Sequence, residues 1–116
     1  MSYPKIANLI ALLRAKTESG DVWWFETEEK GCFQASFSTY STRIFLGAGR
    51  YTQEELDVVF QIINDLGDVV EEVRDSDLSS FIDNTFVYMT DFYESVRRRA
   101  MGVDDAIENI MRDLGA

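Results

Sequence analysis

The chain has 116 residues, 46% of them apolar and 13% aromatic, with one Pro, seven Gly, one Cys, no His and a net charge of −10. That content and length support one packed core and a single domain over 1–116, and are far from those of a disordered chain. Without His, the usual general acid or base near neutral pH, the Ser/His and Cys/His nucleophile pairs and the commonest transition-metal ligand are all missing.

Pro4 suits a first helical turn, and Ile6, Leu9, Ile10 and Leu13 follow at helical spacing until Ser19 and Gly20, so a helix is predicted from about 4 to 18. Val22 to Glu29, the turn Glu29, Lys30, Gly31, and then Cys32 to Thr39 form a predicted hairpin, because Phe33, Ala35 and Phe37 alternate with Cys32, Gln34 and Ser36. Thr42 to Leu46 makes a third strand that Gly47, Ala48 and Gly49 end.

From Thr52 to Val73 two patterns compete. Leu56, Val59, Phe60, Ile63, Leu66, Val70 and Val73 fit a helical stripe behind the capping box of Thr52 and Glu55. Against it, the β-branched runs at Val58, Ile62 and Val69 are split by Asn64, Asp65, Leu66, Gly67, a turn sequence, and that Gly inside a helix would cost about 1 kcal/mol. One helical turn near 52–56 and then a hairpin of strands at about 57–64 and 68–74 is the prediction.

Asp75, Ser76 and Asp77 then offer an N-cap for a long helix from 77 to 100, with Leu78, Phe81, Ile82, Phe86, Met89, Phe92, Tyr93 and Val96 along its apolar side. Arg97, Arg98 and Arg99 meet its negative end and Gly102 closes it. A last helix opens with Asp104 and Asp105 and is expected to pack through Val103, Ile107, Ile110, Met111 and Leu114. The predicted class is α+β: an antiparallel sheet of about five strands with an N-terminal helix and two C-terminal helices.

This order of elements over about 4–100 resembles the secretion-chaperone-like fold of class I type III secretion chaperones. That resemblance implies an exposed apolar sheet able to take an extended segment of a client. The sequence also resembles a family of small bacterial proteins through Leu13, Thr17, Gly20 and Trp24, then Phe33 to Ser38, Asn64 to Val70, and Arg98 to Val103. That second resemblance lends no activity and no site residues.

The charge is unevenly spread. From Tyr51 to Ser95 twelve acids stand against one base, Arg74, so this stretch carries −11 and the rest of the chain +1. Such a field repels phosphate backbones and attracts basic surfaces, which argues against direct nucleic-acid binding. No stretch reaches the roughly 20 apolar residues of a membrane helix, and Met1 to Lys5 do not read as a signal peptide. With the lone Cys32, a cytoplasmic location is expected.

Catalytic arrangements are poorly supplied. Glu71 and Glu72 fall on opposite strand faces, Asp75 and Asp77 lack the spacing of a calcium loop, and Gly47 with Gly49 finds no third Gly for a dinucleotide fingerprint. No catalytic residue, metal ligand or cofactor is expected. The expected function is a non-catalytic protein interaction module, chaperone-like or regulatory, that meets a basic protein through an acidic and aromatic surface and forms a homodimer. Trp23 and Trp24, Phe92 and Tyr93, and Arg97 and Arg98 are the candidate partner-binding residues, since exposed aromatics and Arg are favoured contact anchors. The alternatives are an acidic nucleic-acid mimic that inhibits a nuclease or DNA-binding protein and, behind it, a carboxylate-based enzyme or ligand binder.

Overall fold

The computed structural model describes residues 3–49 and 55–115. Helix α1 (Tyr3–Glu18) is followed by strands β1 (Phe25–Glu26), β2 (Phe33–Ser36), β3 (Ser41–Ala48), β4 (Leu56–Ile63) and β5 (Val69–Arg74), then a 3₁₀ turn (Asp75–Leu78), α2 (Thr85–Ala100) and α3 (Val103–Asp113). The strands form one antiparallel sheet in sequence order, so the fold is α+β in the predicted order. No helix among the described residues is long and apolar enough to cross a membrane.

Strand alternation gives the sheet two different faces. The cross-strand row Phe33, Ile44, Phe60, Val73 is buried from end to end and faces the helices. Ile6, Ile10 and Leu13 of α1, Leu78 of the 3₁₀ turn, and Met89, Phe92 and Val96 of α2 close over it as one core cluster. Each such fully buried side chain contributes about 1.5–3 kcal/mol. The opposite face carries the row Phe25, Gln34, Arg43, Gln61, Glu72. Arg43 Nε donates to Gln34 Oε1 at 2.7 Å, and Gln61 Nε2 to Glu72 Oε1 at 2.8 Å. This row is a polar ladder, and the apolar pair Phe45 and Val59 lies beside it on the same face.

The β4–β5 hairpin replaces the competing helix for a local reason. Asn64 Oδ1 accepts from the backbone N–H groups of Leu66 and Asp68, and Gly67 sits at φ +87°, a conformation that a residue with a Cβ rarely adopts. The predicted helical turn at 52–56 falls mostly on 50–54, outside the described residues, and Leu56 already belongs to β4.

Four elements differ most from their predicted extent. β2 stops at Ser36 instead of Thr39, because the Phe37 N–H donates to the Tyr40 carbonyl at 2.8 Å and closes the turn to β3, which leaves Phe37 exposed. The first strand shrinks from 22–29 to two residues, because the tight turn at Glu29 to Gly31 leaves only a short ladder with β2. β3 runs on to Ala48 through Gly47, which pairs with Asp57 of β4 and where a Cβ would come within 3.1 Å of Val59 Cγ2, a tight contact. The long helix starts at Thr85 rather than 77. Buried Leu78 pins a 3₁₀ turn beneath the helices, and Asn84, at φ 49°, makes the left-handed step into α2.

Candidate interaction surfaces

The six residues expected to meet a partner divide sharply. Trp23 is 77% exposed and its ring lies 5.2 Å from that of Phe25 on the polar-ladder side of the sheet. Trp24 is only 3% exposed, its indole N–H donating to Thr17 Oγ1 at 2.9 Å and its ring meeting Phe92 edge-on at 6.1 Å. Phe92 is fully buried and Tyr93 nearly so. Trp24, Phe92 and Tyr93 are thus core residues of this fold rather than surface anchors, because Phe92 and Tyr93 lie on the side of α2 turned to the sheet, whereas Phe86, expected on that same side, is left 53% exposed in the first turn.

Tyr93 has a structural task of its own. Its hydroxyl donates to the Gly31 carbonyl at 2.9 Å, while the Gly31 N–H donates to Glu26 Oε2 at 3.0 Å, so α2 is tied to the β1–β2 turn. Burial, helped by Glu94 and opposed by Arg97, holds the phenol above its usual value of 10.0. A phenol raised in the folded state stabilises the fold fully below pH 10 and loses that contribution as pH climbs through the raised value. Urea titrations from neutral pH upward should therefore show the wild type losing stability beyond pH 10 more steeply than Tyr93→Phe; parallel curves would remove Tyr93 from this role.

The arginines at the end of α2 go separate ways, as three successive helical positions must. Arg97 binds Glu94 at 3.0 Å, and this carboxylate raises the guanidinium further above its usual value. Arg98 reaches Asp104 at 3.2 Å, and Arg99 donates to the Glu18 carbonyl at 2.9 Å, joining α2 to α1. A groove of about 600 Å³ between these helices is lined by Arg14, Arg98 and Arg99 together with Asp91, Glu94 and Asp104, so its cations are answered by its own acids.

Helix α3 overturns the expectation that it packs. None of its residues is buried, although Val103, Ile107, Ile110, Met111 and Leu114 share one side at helical spacing. Ile107 is 46% exposed, Ile110 60%, Met111 50% and Leu114 80%. Gly102, at φ +64°, turns the chain out of α2, and α3 touches the body chiefly through α2. The radius of gyration is 15.4 Å, against about 13 Å for a compact domain of this length. Sequence periodicity found the stripe, but it could not show whether the body supplied a cover.

The acidic stretch is likewise less uniform than its composition implies. Asp57 pairs with Arg74 at 2.8 Å, Asp75 accepts from the Val58 N–H and Asp77 from the Arg74 N–H, so these acids act inside the fold. Asp65 and Asp68 sit in the β4–β5 turn, and Asp91 and Glu94 on α2. Cys32 is buried. Comparison of the chain with protein-family models, with curated proteins and with solved structures returns no match.

Proposed function

We propose that this chain is a non-catalytic interaction module, chaperone-like or regulatory, that binds another protein through α3, with Trp23 and Phe25 as a second contact point. The observation that carries this reading is the bare stripe of Ile107, Ile110, Met111 and Leu114. Contiguous apolar surface on a small domain marks contact sites, and anchors at i, i+3, i+4 and i+7 are the pattern by which a helix docks into a partner. The nucleic-acid mimic is less well supported, because the acids of the −11 stretch are dispersed over separate elements and several are used internally.

The test is affinity capture from the native host with the wild type, Ile110→Glu and Trp23→Ala, each quantified for what co-purifies. The reading expects a protein enriched by the wild type and lost with Ile110→Glu, and weakened with Trp23→Ala. Identical sets on wild type and Ile110→Glu, or turnover of a small molecule by the purified metal-free protein, would withdraw it.

A further inference from the structure

Resting on that reading, we infer that the occupant of the α3 stripe is an apolar groove with a lysine- or arginine-rich rim on a partner protein. The helical period places Asp104 and Glu108 along one side of the stripe and Asp113 along the other, with Asp105 and the single base Arg112 on the far side. Asp104 already holds Arg98, whereas Glu108 and Asp113 make no ion pair among the described residues. Both margins of the apolar strip therefore present free carboxylates, and complementary potential across an interface demands cations opposite them.

The other occupants fit less well on the same ground. A second copy would bring the same carboxylates face to face, on a chain already at −10, and its arginine-lined groove is neutralised by its own Asp91, Glu94 and Asp104. A bilayer surface favours helices with Lys and Arg on the polar face, and α3 has the opposite sign. A cationic groove on a protein satisfies the stripe and its margins together.

The experiment uses the full chain and two synthetic helical hairpins, each with a leucine-lined groove, one rimmed by lysines and the other by glutamates. Calorimetric titration should show binding to the lysine-rimmed hairpin, at least about tenfold weaker for Ile110→Glu, as for loss of a central anchor. Glu108→Lys with Asp113→Lys should shift the preference to the glutamate-rimmed hairpin, and circular dichroism should show every variant folded, since the substituted positions are exposed.

Equal affinity for the two rims, no binding to the lysine rim, or binding unaffected by Ile110→Glu would overturn the inference. So would light scattering that shows a wild-type dimer that Ile110→Glu splits. If capture from the host depends on Ile110 while the hairpins are not told apart, the charge assignment falls and the interaction reading stands. If capture ignores Ile110, both fall.

Discussion

Phe92→Ala is expected to lower the unfolding free energy by about 3–5 kcal/mol, the range for deleting a buried aromatic ring. Phe92 lies fully buried where α2 crosses the sheet, with Trp24 edge-on against it and the Phe33 to Val73 row beneath. Removing the ring opens a cavity between three elements fixed by their own ladders and helical turns, so the site has little freedom to collapse. Trp23→Ala should change stability by no more than about 0.5 kcal/mol, as at exposed positions generally. Urea denaturation of both variants measures the contrast. A Phe92→Ala loss no larger than that of Trp23→Ala would mean that α2 does not seal the core in the way described.

That contrast also marks how far the sequence could be read. Adjacent aromatics invite the argument that one ring of Trp23 and Trp24 is inside and the other outside, and one is. Strand alternation is not the reason, however, because the chain there is irregular and β1 begins at Phe25. What selects Trp24 for the interior is its indole N–H, which finds Thr17 on α1, a partner seven residues away in sequence and unrelated to strand alternation. For Phe92 and Tyr93 the period placed both on the apolar side of α2, and only packing could show that this side is covered.

Turn chemistry was the most legible part. Asn64 and Gly67 decided between a helix and a hairpin because their demands on the backbone are local: a side-chain oxygen answering two N–H groups, and a left-handed φ. The extent of β3 was not legible, since Gly47 reads as a strand breaker, whereas in the fold it pairs with Asp57 close against Val59. Nor was the fate of α3. Its pattern is that of a helix packed on a core, and the same pattern serves a helix waiting for a partner; only the tertiary arrangement tells the two apart.

Asp75→Ala should cost about 1–3 kcal/mol, the penalty for a buried donor left without its acceptor. The sequence placed Asp75 at the N-cap of a long helix, but α2 begins ten residues later and the carboxylate works elsewhere. β5 ends at Arg74, opposite Val59, so the next N–H of β4, that of Val58, has no strand carbonyl to meet. Asp75 Oδ1 fills that position at 2.9 Å, and Val58 itself is wholly buried. Because the need is for an acceptor, Asp75→Asn, which keeps a side-chain carbonyl, should retain most of the stability that Asp75→Ala loses. Hydrogen exchange at the Val58 amide reads the same bond directly: protection should fall in Asp75→Ala and persist in Asp75→Asn. Equal losses in the two variants would show that the negative charge at the end of β4, and not the hydrogen bond, is what the fold requires.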